Sequence, residues 1–318
     1  MAEKMATRDA YGKILIKLGE KYENLVVMDA DLSGSTKSAA FGKEYPERFF
    51  NMGIAEQNLY GTAAGLAISG KIVCASTFAM FATGRAFEII RNSIGYTRAN
   101  VKICASHAGI TTGEDGASHQ TFEDIALMRT IPGMTVVNPA DGVSAMKLIE
   151  QAVAFKGPCY VRLGRAAVPL IYAESVDIKL GKANRLREGK DVAIIATGIM
   201  VNEALAAAQE LSEEGIEATV IDMHTIKPMD KDAVIEAAKE TGAIVTAEEH
   251  SIIGGLGGAV AEVLSQNHPV KMKMVGQMDT YGESGKPEEL KVKYGMTSAN
   301  IVKAVKNIKA IKAVKSSI

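Results

Sequence analysis

Short apolar runs alternate with longer stretches of helical periodicity along nearly all of this 318-residue chain, and that alternation constrains the fold more than any single residue does. LVVMDA, KIVCAST, VKICASH, MTVVNP and PCYVRLG read as strands, with helical patterns near 8–20, 55–69, 84–96, 122–131 and 142–155. From 164 to 189 the rhythm is lost and the chain turns polar. A second set follows, VAIIATG, ATVIDMH, AIVTAEEH and VKMKMVG, with helices near 200–213, 231–241, 256–265 and 297–309. Alternation of this kind predicts an α/β protein of two domains, each a mostly parallel sheet with helices on both faces. The length exceeds what one core usually fills, so the expected division is a first domain over 1–165, a linker over 166–188 and a second domain over 189–318.

Ligands of open α/β sheets gather outside the carboxyl ends of the strands, so the residues just after each strand matter most. There the first half carries Asp31 to Ser35, then Phe78 and Phe81, then His107 and the loop GITTGEDGASHQ. Glu56 heads a helix with fourteen uncharged residues between it and Lys71. A carboxylate in so apolar a setting is a candidate proton-handling group, although a half-solvated glutamate facing the positive end of the helix dipole fits the same pattern. In the loop, His119 lies four residues beyond Asp115, and a histidine near a carboxylate can carry a proton at neutral pH. A surface loop using Gly and Asp for turns is the alternative. The run GGLGGAVAE misses the third glycine of a dinucleotide fingerprint, where Val260 stands, and reads as a helix start used for packing or an anion.

With 36 basic and 37 acidic residues the chain has no charge bias toward nucleic acid. The lysines from Lys303 to Lys315 fall at helical spacing beside Ile and Val, as the solvated face of a last helix. No apolar run reaches membrane-spanning length and the amino terminus is charged, which predicts a cytoplasmic protein with no membrane association. Cys74, Cys104 and Cys159 each sit inside an apolar run, with neither a disulfide framework nor zinc spacing.

Taken in order, NMGIAEQN, STFAMF, GEDGASHQ, KPMD and EEHSIIGGLGG resemble the carboxyl-terminal half of transketolases, over nearly the whole chain. The GEDG–SHQ loop separates this resemblance from deoxyxylulose-phosphate synthases and from the beta subunits of 2-oxo acid dehydrogenases, which share the AEQN-type and EEHS-type stretches. The resemblance implies a thiamine-diphosphate pyrimidine-binding domain followed by the transketolase C-terminal domain. It also implies a partner: no Gly-Asp-Gly, the family's diphosphate and metal motif, occurs in this chain. An N-terminal transketolase subunit would carry that motif with Mg2+ or Ca2+, in an alpha2beta2 heterotetramer, and this chain would bind no metal itself.

By the same resemblance Glu56 is the carboxylate beside the pyrimidine ring, and Phe78 and Phe81 pack around that ring. Asp31 and Leu32 flank the cofactor. Ser35, Arg8 and Arg165 meet the phosphate of a sugar-phosphate donor. His107 and His119 lie near its carbonyl and hydroxyls, as proton-transfer groups, and Asp115 reads a hydroxyl. The implied activity is transfer of a two-carbon ketol unit from a ketose phosphate to an aldose phosphate in the pentose phosphate pathway. The competing readings are a 2-oxo acid dehydrogenase beta subunit and a catalytically silent scaffold of the same fold.

Overall fold

The computed structural model describes residues 3–315, with side chains through Ile308. Residues 1–2 and 316–318 of the expected domain bounds lie outside it, as do the side chains of Lys309, Lys312 and Lys315 in the lysine-rich tail; Lys303 and Lys306 are exposed, as the helical spacing predicts.

Strand segments in which most positions are apolar belong in the middle of a sheet covered on both faces. Leu25–Asp29, Ile72–Phe78 and Val101–Ser106 are buried at every residue. They are the centre of a seven-stranded sheet whose spatial order is Thr225–Lys227, Thr135–Val137, Cys159–Arg162, Val101–Ser106, Ile72–Phe78, Leu25–Asp29 and Phe49–Asn51. Six of these strands are parallel, and Thr225–Lys227 joins antiparallel at the edge. The second sheet runs Lys271–Gln277, Ala243–Ser251, Val192–Ala196, Ala218–Asp222 and Asn184–Arg187, parallel except for the last. Two apolar clusters cover the two faces, one with helices Thr7–Lys21 and Gly142–Ala154, the other with helix Glu56–Ile68.

The elements depart from the sequence expectations in several places, among them the unexpected strand Phe49–Asn51 and helix Pro287–Lys293. The helix expected near 84–96 is a run of wide π-turns, Phe81–Arg85 and Ile90–Gly95, around one short α-helical segment. The polar stretch 166–188 contains two strands: Ala167–Pro169 pairs with Lys4–Ala6 at the amino terminus, and Asn184–Arg187 closes the edge of the second sheet. Thr225–Lys227 crosses from the second half of the chain into the first sheet, so the two halves share an edge.

The glycine-rich stretch near 254–258 has a concrete purpose. The first N–H groups of helix Leu256–Asn267 are held by the Glu248 carboxylate, from Leu256 at 2.6 Å and Gly257 at 2.8 Å. A side chain at Gly255 would occupy the place of that carboxylate, so the anion at this helix start is the chain's own. Burial pushes Glu248 up to about 7, against the pull of the two N–H groups.

The halves are also joined by a buried charge network. Asp124 accepts from Tyr160 Oη at 2.6 Å and from Arg162 at 2.7 and 3.3 Å, while Arg162 Nη2 donates to the carbonyl of Glu249 at 2.8 Å. All of these side chains are inaccessible to solvent or nearly so. Removing one member of a buried pair leaves the other charge uncompensated. Asp124→Ala is expected to lower unfolding free energy by about 3–5 kcal/mol in urea denaturation; a loss below about 1 kcal/mol would show that the network does not hold the halves together.

Candidate active site

The candidate residues converge because five neighbouring strands of the first sheet end side by side. Phe49–Asn51 leads to Glu56, Leu25–Asp29 to Asp31 through Ser35, Ile72–Phe78 to the phenylalanines, Val101–Ser106 to His107, and Cys159–Arg162 to Arg165.

Glu56 begins helix Glu56–Ile68 and is 2% exposed. It is not alone: Arg85 Nη1 donates to its Oε2 at 2.8 Å. Among the described residues none donates to Oε1. Arg85 was not visible as a site residue in the sequence. It is delivered by the π-turn Phe81–Arg85, a geometry found repeatedly at functional positions. Its guanidinium also lies 4.7 Å from the Phe81 ring centroid, a cation–π contact that fixes both groups.

From Phe81 the contacts run on. Phe81 and Phe78 are stacked at 6.0 Å between centroids, His119 meets both rings edge-on at 5.4 and 6.1 Å, and Phe78 stacks on His107 at 3.8 Å. Arg8 Nη1 donates to His107 Nε2 at 3.1 Å and to the Ser35 carbonyl at 3.0 Å. Because arginine can only donate, Nε2 of His107 is the acceptor and its Nδ1–H faces Ser106 Oγ at 2.8 Å. Burial, then the charges of Arg8, Arg165, His119 and Lys37, depress His107 to about 3. His107 is therefore a neutral ring among cations. Its φ of 60° is the left-handed region that an ordinary side chain avoids, and the Thr112 hydroxyl, donating to the His107 carbonyl at 2.7 Å, helps hold it there.

Arg165 Nη1 donates to the Glu114 carboxylate at 2.8 Å and to the Thr112 carbonyl. Arg8 lies below its ordinary value, first through burial, with Asp9 and Asp115 opposing and Arg165 reinforcing the shift; its Nε is buried without a hydrogen-bond partner. Asp115 is exposed and makes no hydrogen bond to another described residue. Asp31 and Leu32 stand apart from the chain of contacts. The backbone N–H of Asp31, whose φ is 63°, donates to Asn51 Oδ1, and Asn51 Nδ2 donates back to its carboxylate, both at 3.0 Å. Leu32 donates from its backbone to buried Asp29, which also accepts from Thr36 and Ser38. Asn51 and Asp29 thus shape the turn at Asp31 and Leu32 that leads into the short helix Ser33–Thr36. Neither was singled out from sequence, although Asn51 begins NMGIAEQN.

The family model of the transketolase pyrimidine-binding domain matches residues 3–170, and that of the transketolase C-terminal domain matches 181–301. The chain belongs to the transketolase family. It is 54% identical over 301 residues to a putative transketolase C-terminal section of Methanocaldococcus jannaschii, covering 94% of each chain. It is 45% identical to a 6-deoxy-6-sulfo-D-fructose transketolase subunit of Clostridium sp. (strain MSTE9), over 93% of this chain and 92% of the relative. Among solved structures, a split gene transketolase described as an inactive beta4 tetramer superposes with a TM-score of 0.90 at 54% identity, covering 96% of this chain and 98% of that one. The transketolase fold of two domains with mostly parallel, helix-covered sheets is thereby assigned, and no helix among the described residues is long and apolar enough to cross a membrane.

A neutral His107 has a measurable signature. Its folded value lies below the unfolded one, so the unfolded state binds the extra proton and His107 costs stability progressively as pH falls from about 6.5 toward 3. In an NMR titration the His107 ring signal, assigned by its loss in His107→Gln, is expected to stay unprotonated from pH 8 to pH 5. A midpoint near 6.5 would contradict the cationic environment described above.

Proposed function

We propose that this chain is the pyrimidine-side subunit of a split, thiamine-diphosphate-dependent transketolase that moves a two-carbon ketol unit from a ketose phosphate to an aldose phosphate. The observation that carries the reading is the unbroken line of contacts from Glu56 through Arg85, Phe81, His119, Phe78 and His107 to Arg8 and Ser35. A buried carboxylate stands at one end and arginine at the other, with aromatic faces and histidines between them, which supports the reading.

The residues fit the pyrimidine half of the cofactor. Among the described residues Glu56 Oε1 has no donor while Arg85 holds Oε2, so one carboxylate oxygen would be left for a protonated ring nitrogen in a setting where charge-assisted hydrogen bonds are strong. Phe78 and Phe81 would flank the ring. When bound, thiamine diphosphate supplies the nucleophilic carbon and the electron sink that carbon–carbon bond cleavage requires. Asp31 and Leu32 would flank it from a loop held by Asn51 and Asp29. Among the described residues no cluster of His, Cys, Asp and Glu would hold a metal ion. The reading gives Mg2+ or Ca2+ to the N-terminal partner subunit together with the diphosphate, as an expectation from the family resemblance.

At the other end Arg8, Arg165 and Ser35 would bind the donor phosphate. Arg8 Nε is buried and has no hydrogen-bond partner among the described residues, so its N–H is a donor that a bound phosphate oxygen would satisfy. His107 holds Arg8 and packs on Phe78, which makes it an orienting group for the phosphate clamp. His119 has Ser118 Oγ on Nδ1 at 2.9 Å and no partner on Nε2 among the described residues, so it is the histidine free to take and return a hydroxyl proton. Asp115, exposed at the loop's edge, would read a donor hydroxyl.

A second subunit is supported by the relatives: one is termed a C-terminal section, another a subunit, and the superposed split gene assembly is described as inactive. The arrangement proposed is an alpha2beta2 heterotetramer with each site built from both chains. Its place is the cytoplasm and the pentose phosphate pathway.

Two substitutions separate the proposed roles. In the assembled enzyme Glu56→Ala is expected to reduce turnover by about 100-fold or more while folding and assembly persist; unaltered turnover would remove its role in proton control. Arg165→Ala is expected to raise KM for a phosphorylated donor by about 10-fold or more, as the loss of one charge-assisted hydrogen bond implies, and to leave KM for hydroxypyruvate nearly unchanged. Equal effects on both donors would remove its phosphate role.

A further inference from the structure

The loop that carries Asp115 and His119, and that anchors Arg165, does not rest on its own domain alone. Neighbouring residues of a strand point to opposite faces, and on Ala243–Ser251 this sends Glu248 to the helix start at Leu256 and Glu249 to the first domain. Glu249 is buried, with a side chain 3% exposed. Its Oε1 accepts from the Thr111 backbone N–H at 2.7 Å, and its Oε2 lies 3.8 Å from Arg162 Nη1. Gly109, with φ of 83°, lies flat on this carboxylate: a Cβ there would stand 2.3 Å from its carboxyl carbon. Thr112, which follows Thr111, gives its carbonyl to Arg165 and its hydroxyl to the His107 carbonyl, while its N–H donates to the Gly109 carbonyl.

We propose that Glu249, contributed by the C-terminal domain, is a positioning residue for the donor-phosphate clamp, acting through the Thr111 N–H to place the Thr112 carbonyl that holds Arg165. A carboxylate at this point fixes a loop backbone that glycine at 109 and 113 would otherwise leave free, and Arg162 balances its charge. The C-terminal domain then has a part in substrate recognition beyond packing. The assignment of Arg165 to a phosphate rests on the function proposed above; the contact of Glu249 with the loop does not.

Two readouts keep these apart. In hydrogen–deuterium exchange of the full chain, Glu249→Ala should raise exchange of the Thr111 amide about tenfold or more, together with its neighbours in the 107–120 loop and not with distant segments. In the assembled enzyme the same variant should raise KM for a phosphorylated donor about tenfold with little change for hydroxypyruvate, and Glu249→Gln, whose amide oxygen can accept the same N–H, should restore both readouts. Should Glu249→Ala fail to fold, Glu249→Asp, one methylene too short to reach Thr111, replaces it. Unchanged loop exchange would overturn the proposal, and so would an equal loss of turnover with both donors at unchanged KM, which is the mark of mere destabilisation. If the wild-type assembly transfers no ketol unit, the transketolase reading fails, and the exchange experiment alone still decides whether Glu249 fixes the loop.

Discussion

The buried guanidinium of Arg162 is the interaction on which the rest of the molecule depends. An isolated buried cation is costly, and it is tolerable only where carboxylates and carbonyls replace its lost hydration. Arg162 finds Asp124 on its own domain and the carboxylate and carbonyl of Glu249 on the other. The two acids respond differently. Burial would raise both, but Asp124, in direct contact with Arg162 at 2.7 Å, ends below the ordinary carboxylate range, whereas Glu249, 3.8 Å away, ends above it. For Asp124 the close Arg162, helped by His250 and the Tyr160 hydroxyl, overcomes desolvation; for Glu249 the more distant Arg162, helped by Thr111, does not. The same network that locks the domains therefore presents Glu249 to the loop.

From that fixed frame the site gains its electrostatic character. Burial and the nearby charges of Arg8, Arg165 and Lys37 depress His107, so positive charge gathers at this end of the line of contacts. Glu114 answers Arg165 and Asp9 answers Lys37, but both pairs are partly exposed and an incoming dianion can compete with such contacts. At the other end Arg85 answers Glu56. Charge separation across a row of aromatic and imidazole rings suits a substrate with an anionic tail and a reacting carbonyl.

Most of the scaffold was legible from sequence because strand and helix periodicities are local. The alternation gave the parallel sheets and the strand ends, the strand ends gave the phenylalanines and the histidine loop, and the uncharged helix that follows Glu56 gave that residue. What sequence did not show depends on contacts between distant positions. Arg85 is 29 residues from Glu56, and its delivery by a π-turn has no periodic signature. Thr225–Lys227 is too short to register as a strand and is stabilised by a partner far away in the chain. Glu249 sat within EEHS, a stretch noticed for its family resemblance, but its contact with Thr111 spans 138 residues. His107 was expected to share the proton transfer; its place between Arg8 and Ser106 fits an orienting role, and the proton-transfer role is proposed for His119.

The central claim, that the reaction needs this chain and a second one, is tested most directly by ketol transfer from xylulose 5-phosphate to ribose 5-phosphate with thiamine diphosphate and Mg2+. The chain would be assayed alone and then mixed with a candidate diphosphate-binding subunit. The account predicts turnover only in the mixture, because one chain supplies Glu56 and the phosphate clamp and the other the metal and diphosphate site. Turnover by the chain alone would contradict the shared site, and silence from a correctly assembled mixture would contradict the transketolase activity itself.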